Sequence, residues 1–163
     1  MSVDGHDTES PDSPNDTIRG ASESSGMGGG SLLRSIAAVA AGFALLAIGV
    51  MVATNVAVGL MLPSPEAGPT PAYLVVNLAY SAAFAVAAGY VTAKAAPHAP
   101  RIHAFVLAGV LLLLGLAAVV GTAAAGAAQG DQPAWYPYVV MVLGPAGAIL
   151  GGSLRAASSA KVS

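Results

Sequence analysis

The sequence predicts an all-α integral membrane protein, a four-helix bundle with a disordered N-terminal tail. The main observation is that four stretches contain no Asp, Glu, Lys or Arg: residues 35–65, 67–93, 102–130 and 132–154. Each stretch is apolar and longer than the roughly 20 residues that a helix needs to cross a bilayer. The composition agrees, because only 9% of the residues are charged and 55% are apolar, whereas soluble domains have roughly 25% charged residues.

The first 34 residues are predicted to be an acidic tail. They carry six carboxylates and two arginines among many Ser and Gly residues, with few large apolar side chains. Such a segment cannot bury enough apolar surface to offset the entropy of folding. We expect residues 1–34 to be disordered and cytoplasmic. Two roles stay open for them, a solubilising extension and a peptide that contacts a partner or is modified at Ser or Thr.

The predicted membrane domain covers residues 35–156, and residues 157–163 are a short cytoplasmic stub. Its four spans are residues 36–62, 73–93, 102–127 and 135–154. Proline marks the loop after the first span, where four of the nine residues from Pro63 to Pro71 are proline. Proline lacks the N–H that a helix needs and clashes with the preceding turn. For the same reason, Pro145 predicts a kink inside the fourth span.

The positive charges predict the orientation of the chain. All six lie before the first span, between the second and third, or after the fourth, at Arg19, Arg34, Lys94, Arg101, Arg155 and Lys161. The other two loops hold only Glu66 and Asp131. Because Lys and Arg accumulate on the cytoplasmic side, we expect both termini in the cytoplasm and the protein in the cell (inner) membrane.

Aromatic and small residues mark two further features of the spans. Four aromatic residues lie where the second and fourth spans begin, and we interpret them as an interfacial belt: Tyr73, Trp135, Tyr136 and Tyr138. An aromatic mouth that faces the bundle is the alternative. Small residues recur in the fourth span and predict close helix packing: Gly144, Gly147, Ala148, Gly151 and Gly152. The facing helix could belong to the same chain, to a second copy in a homo-oligomer, or to another membrane protein.

A few polar side chains lie inside the spans and form the candidate site, an intramembrane polar cluster of Asn55, Asn77, Tyr80 and Ser81. With the predicted topology, all four lie at overlapping depths in the first and second spans. One interpretation is a structural clasp, in which Asn55 and Asn77 bond across the helices at about 0.6 kcal/mol per bond. The other is a small polar pocket that opens outward toward Tyr73.

Groups that could support catalysis are scarce. The chain has no cysteine, which excludes thiol chemistry and disulfides. No span contains Asp, Glu, Lys or Arg, and proton-coupled transport usually needs an ionisable group inside the membrane. His98 and His103 lack a third ligand for a metal site. We therefore expect no catalytic residue, no metal, no cofactor, no enzyme activity and no nucleic-acid partner.

Four segments carry a resemblance: residues 89–97 (GYVTAKAAP), 103–104 (HA), 133–136 (PAWY) and 151–155 (GGSLR). Over residues 35–156 the chain resembles uncharacterised four-span proteins of bacterial inner membranes. The resemblance implies the fold and the compartment, and no activity accompanies it.

The sequence leaves two hypotheses for the function of the protein. The first is a non-enzymatic membrane scaffold, assembly or accessory subunit, which predicts a dry and tightly packed bundle. The second is a transporter or channel component for a neutral or apolar solute, which predicts a water-filled path along the polar cluster.

Overall fold

The computed structural model describes residues 14–64, 67–96, 99–124 and 132–160. Four helices account for most of these residues, α1 (Pro14–Met61), α2 (Pro71–Ala95), α3 (Pro100–Ala124) and α4 (Tyr136–Ala160), and none of the described residues is in a strand. All four helices are long and apolar enough to cross a membrane. The predicted all-α, four-span fold is confirmed, and the chain is a multi-pass membrane protein.

The helices and the predicted spans differ at their ends. α4 continues past the predicted end at residue 154 to Ala160, because polar residues beyond an apolar stretch can extend the same ladder of backbone hydrogen bonds. The structure describes α3 as far as Ala124, so the predicted end of the third span at residue 127 stays a prediction. Residues 125–131 lie outside the described residues.

The helix α1 begins before the position that the sequence predicts. It starts at Pro14, although residues 1–34 are expected to be disordered; residues 1–13 lie outside the described residues. A helix that has already formed needs no new nucleus, so each residue added at its end closes one more backbone hydrogen bond.

The chain divides into two compact units, Met1–Leu33 and Arg34–Ser163. In the first unit, the described residues belong to the N-terminal part of α1. The second unit contains the rest of α1 and the three other helices, and all the contacts described below lie within it.

Adjacent helices of the second unit run antiparallel. On α1, Gly42 faces Thr92 of α2, and Thr54, further along α1, bonds to Tyr80 earlier in α2. α3 and α4 pair in the same antiparallel way, since Ala104 faces Gly152 and Gly115 faces Met141. 

The helices α2 and α4 run parallel and form the central contact of the bundle. Asn77 bonds to Tyr136 near the start of both helices, and Ala85 faces Gly147 further along. We call the end where α2 and α4 begin the tyrosine end, after Tyr73 and Tyr136. The opposite end is the basic end, where the helices carry Arg34, Lys94, Arg101 and Arg155.

Two buried clusters lie at different depths of the bundle. The cluster in the tyrosine half is built around Ala57, Tyr73, Leu74 and Tyr136. The cluster in the basic half is built around Ala88, Leu107, Ala108 and Ala148. The first thus contains two large aromatic rings, whereas three of the four buried residues in the second are alanines.

The start of α2 places Tyr73 in the tyrosine-end cluster. Thr70 caps the helix, because its extended backbone lets its hydroxyl accept a hydrogen bond from the Tyr73 N–H at 3.2 Å. Pro71 takes the first helical position, where its missing N–H has no cost. The cap ends the proline-rich loop one turn before Tyr73, whose side chain is buried.

Candidate functional site

A hydrogen-bonded network of four side chains joins α1, α2 and α4 in the tyrosine half. The hydroxyls of Thr54 and Tyr80 lie 2.8 Å apart. The Asn77 side-chain amide donates to the Tyr80 hydroxyl, and the Tyr136 hydroxyl donates to the Asn77 amide oxygen. We call these four residues the polar network.

One direction of donation satisfies the whole network. Because the Tyr80 oxygen accepts from Asn77, its own proton can point to Thr54, so donation runs from Tyr136 through Asn77 and Tyr80 to Thr54. In an apolar surrounding, an unpaired hydroxyl or amide costs several kcal/mol, so polar groups that meet across helices satisfy each other. The network therefore has the arrangement of a clasp between three helices.

Asn55 does not belong to this clasp, and the predicted pairing of Asn55 with Asn77 is wrong. The Asn55 side-chain amide donates to the Met51 carbonyl of its own helix at 2.8 Å, and the residue is exposed. The neighbouring Thr54 takes its place. Successive residues of a helix point about 100° apart, so only one of the two can face α2.

The predicted interfacial belt divides into two pairs. Trp135 and Tyr138 are more than half exposed, as an interfacial belt requires. Tyr73 and Tyr136 are buried in the tyrosine-end cluster, so the assignment of these two residues to the belt is wrong. The ring of Trp135 still contacts Tyr136 edge-on, with centroids 5.9 Å apart.

The small residues of α4 face other helices of the same chain. A Cβ atom added at Gly147 would lie 2.6 Å from the Ala85 Cβ, and one added at Gly151 would lie 1.9 Å from the Val86 carbonyl oxygen. A Cβ added at Gly152 would lie 2.2 Å from the Ala104 Cβ of α3. Gly147 and Gly151 thus allow α4 to approach α2, and Gly152 allows it to approach α3.

The other two predicted packing residues differ in their surroundings. Ala148 is fully buried, and its backbone lies against Gly89 of α2. Gly144 has only the Leu111 side chain nearby, with the closest atom 3.8 Å from an added Cβ. Gly144 instead lines a cavity.

This cavity is an apolar cleft of about 610 Å³ between α1, α3 and α4, with Ser81 of α2 in its wall. Its lining residues on α1 and α3 are Leu46, Ala47, Val50, Leu111, Gly115, Ala118 and Val119. On the α4 side they are Gln132, Tyr136, Pro137, Val140, Met141, Leu143, Gly144 and Pro145. The structure therefore separates Ser81, which lines the cleft, from Asn77 and Tyr80 of the polar network.

The cleft occupies the tyrosine half of the bundle only. On α4 its lining helical residues begin at Tyr136 and end at Pro145, which is about 14 Å at 1.5 Å per residue. The hydrocarbon core of a bilayer is about 30 Å thick. Beyond Pro145, the buried cluster of the basic half closes the bundle, with Val39 of α1 and Ile149 of α4 packed against it.

One residue of the polar network, Thr54, could have been found from the helical phase of the sequence. Thr54, Ala57, Val58 and Met61 have the spacing of one helix face, and the last three pack in the tyrosine-end cluster. Asn55 lies outside this face. No sequence signal distinguishes the buried Tyr136 from the exposed Tyr138, because both rings suit a membrane boundary.

The histidines considered as metal ligands are apart from this site. His103 lies near the start of α3, and its Nδ1 atom is 3.3 Å from the Ala99 carbonyl oxygen. His98 lies outside the described residues.

Comparison of the chain with protein-family models, with curated proteins and with solved structures finds no match. The features that bear on function are therefore the polar network, the helix contacts and the cleft.

Proposed function

We propose that this protein is a non-enzymatic scaffold, assembly or accessory subunit of the cell membrane. The polar network carries the proposal, because its hydroxyl and amide groups bond to one another across three helices. Groups that satisfy each other in this way stabilise helix contacts and leave few free polar atoms for a solute. A bundle held together internally can present its outer helix faces to another membrane protein.

The packing of the basic half supports the same function. Gly42 lies against Thr92, and Gly89 lies against the Ala148 backbone. Contacts this close leave no space for a path of water between α1, α2 and α4 at this depth. Such a bundle is better suited to holding a fixed shape than to moving a solute across the membrane.

A transporter or channel component for a neutral or apolar solute is the second candidate. The cleft favours it, because apolar walls could accept an apolar solute, and Pro145 at the deep end interrupts the backbone hydrogen bonding of α4. A helix interrupted by proline can change shape more readily. The position of the closing contacts, about half-way through the bundle, favours the scaffold.

Cysteine accessibility separates the two candidates, since the natural chain has no cysteine. Thr54→Cys and Thr92→Cys would be treated with a hydrophilic, membrane-impermeant thiol reagent, applied in turn to each side of the membrane. A scaffold predicts no labelling at either position, whereas a water-filled path predicts labelling at both. Ser64→Cys, in the exposed loop after α1, is the positive control. Labelling of Thr54→Cys and Thr92→Cys at the rate of Ser64→Cys would rule out the dry scaffold.

A partner would be sought by crosslinking in native membranes. A photoreactive amino acid would replace Leu60, Val75 or Leu113, which are exposed residues on three different helices. A scaffold predicts that one of these faces forms a discrete, stoichiometric adduct with another protein. Failure of all three faces to form such an adduct would count against this function.

We also propose that both termini are cytoplasmic, which places the tyrosine end on the outer side of the cell membrane. The support is the distribution of Lys and Arg. All six lie before the apolar part of α1, at the end of α2 or the start of α3, or after the apolar part of α4. In intact cells, an impermeant thiol reagent should label Ser64→Cys and leave Ser159→Cys unlabelled. The reverse pattern would invert the topology.

A further inference from the structure

We propose that the cleft binds one hydrocarbon chain of a bilayer lipid, taken from the leaflet at the tyrosine end, with the polar group of the lipid at the level of Gln132. The dimensions and the lining of the cleft support this binding. It goes beyond the scaffold function and does not depend on it.

The depth of the cleft matches one leaflet. Its wall on α4 covers about 14 Å, which is close to half of the roughly 30 Å hydrocarbon thickness. The chain of a lipid in one leaflet reaches to about the middle of the bilayer. A transmembrane helix of a partner protein needs the full thickness, so a groove that ends at Pro145 cannot receive one along its length.

The lining follows the polarity of a lipid. Near the tyrosine end, the cleft is bordered by the exposed Gln132 and by Tyr136. Deeper in the bundle, the walls are formed by aliphatic residues such as Leu46, Leu111 and Leu143. A head group can therefore remain at the polar border while its chain lies along the apolar walls.

Water is a poor occupant for the same cleft. A buried water needs two to four polar partners, and in the deep part Ser81 supplies the one hydroxyl of the lining. The cleft volume, about 610 Å³, is within the range of sites that bind small molecules and cofactors. An unfilled cavity of this size would lose the dispersion contacts of all its walls, and acyl chains are the most abundant apolar groups around the protein.

The closed base of the cleft sets the direction in which the chain lies. Beyond Pro145, Val39 of α1 and Ile149 of α4 pack against the buried cluster of the basic half, and this contact prevents an acyl chain from continuing toward the basic end. A lipid from the leaflet at the basic end would have to pass this contact. The bound acyl chain therefore has its methyl end near Leu111 and its carboxyl end near Val140.

The experiment uses the full chain in phosphatidylcholine vesicles that contain a small fraction of photoreactive phosphatidylcholine. Two probes are compared, one with a diazirine close to the ester and one with a diazirine at the end of the acyl chain. After irradiation, adducts are mapped by peptide mass spectrometry. We expect the ester-proximal probe to label Val140 and the chain-end probe to label Leu111. The reverse order would show entry from the other leaflet and would overturn the proposal.

A variant that fills the cleft tests whether these adducts come from the cleft. Ala47 is an exposed residue in the α1 wall of the cleft. Ala47→Phe places an aromatic ring in the space that the acyl chain would occupy. We expect the Leu111 adducts to fall roughly tenfold, equivalent to about 1.4 kcal/mol in occupancy. Ala41→Phe is the matched control, because Ala41 is an exposed alanine of the same helix outside the cleft lining.

Labelling at Leu113, an exposed residue of α3 outside the cleft, reports ordinary contact with lipid and should be equal in all variants. Normal Leu113 labelling without adducts at Val140 and Leu111 would overturn the proposal, as would unchanged Leu111 labelling in Ala47→Phe. If Ala47→Phe fails to fold, Val50→Phe, on the same wall of the cleft, takes its place, with the same fall in Leu111 labelling expected. A lipid in the cleft without any protein partner would support this inference and count against the scaffold function.

Discussion

The two halves of this bundle pack in opposite ways, although the same four helices form both. In the basic half, small residues bring helix backbones into contact, and the buried cluster consists mainly of alanines. In the tyrosine half, large side chains bond to each other and leave the apolar cleft beside them. Apolar burial contributes little to helix association in lipid, so each half depends on a different substitute for it.

The substitute in the basic half is close backbone contact. Gly89 lies against the carbonyl of Ala148, and Gly151 lies against the carbonyl of Val86. Each contact gains only about 0.1–0.2 kcal/mol per atom pair, but many pairs add up. Such an interface tolerates no added atom, because the group opposite is backbone and cannot rotate away.

The substitute in the tyrosine half is hydrogen bonding. Thr54, Asn77, Tyr80 and Tyr136 hold three helices through side chains that span the gaps between backbones. The apolar cleft lies beside this network and shares Tyr136 with it. In this bundle, the cavity lies in the half where side chains join the helices, and not in the half where backbones touch.

The largest expected effect comes from adding one methyl group to the contact of Gly147 and Gly151 with α2, which we call the seam. The Cβ of Gly151→Ala would lie 1.9 Å from the Val86 carbonyl oxygen and 2.7 Å from the Tyr90 nitrogen, so α2 and α4 must separate. We expect a loss of about 3 kcal/mol in the free energy of unfolding in mixed micelles. Gly109→Ala is the control, because nothing lies within 4 Å of its added Cβ, and it should be neutral or slightly stabilising. Equal losses for Gly151→Ala and Gly109→Ala would show that the α2 and α4 backbones do not touch at Gly151.

A second pair of substitutions compares the seam with the cleft, and each substitution replaces a glycine by alanine. Gly147→Ala meets the Ala85 Cβ at 2.6 Å and should cost about 2 kcal/mol. Gly115→Ala meets the Met141 side chain at 2.9 Å, but this flexible side chain borders the cleft and can move into it. We expect a cost below about 1 kcal/mol for Gly115→Ala. Thermal unfolding in detergent measures both, and a larger loss for Gly115→Ala would mean that the cleft is not free to accept Met141.

The polar network is tested by replacing its central residue. Asn77→Leu removes the bond that the Tyr80 hydroxyl accepts and leaves the Tyr136 hydroxyl without its acceptor, so we expect a loss of about 1–2 kcal/mol. Asn55→Leu is the matched control, because Asn55 is exposed and bonds to its own helix; its effect should be close to zero. A double-mutant cycle of Asn77→Leu with Tyr136→Phe should show coupling, whereas additive losses would mean that the two residues do not act together.

The smallest effects are expected at two threonines, one in each half. Thr54→Val removes the hydrogen bond to Tyr80 and should cost about 0.6 kcal/mol. Thr92 is fully buried, and its hydroxyl has no hydrogen-bond partner among the described residues. Thr92→Val should therefore leave stability unchanged or raise it by up to about 1 kcal/mol. Reversible unfolding in mixed micelles would measure both, and a clear loss for Thr92→Val would reveal a bond to a group outside the described residues.

The sequence by itself determined the number of spans, their order and their helical character. A lipid surrounding forces an apolar segment of this length to satisfy every backbone group internally, so local composition is enough to predict a helix. The small residues of α4 were also visible in the sequence, because Gly147, Ala148 and Gly151 have the spacing of close helix contact. Their partners on α2 were not, since a ridge of small residues has the same spacing whichever helix it meets.

The tertiary structure decided which side chains face inward. Thr54 and Asn55 are adjacent and both polar, yet Thr54 faces α2 and Asn55 is exposed. Tyr136 and Tyr138 both suit a membrane boundary, yet Tyr136 is buried and Tyr138 is exposed. The rotation of each helix about its axis depends on contacts with residues far away in sequence, such as the Tyr136 hydroxyl with Asn77. The cleft likewise depends on the separation of α1 from α3, a distance that no single helix specifies.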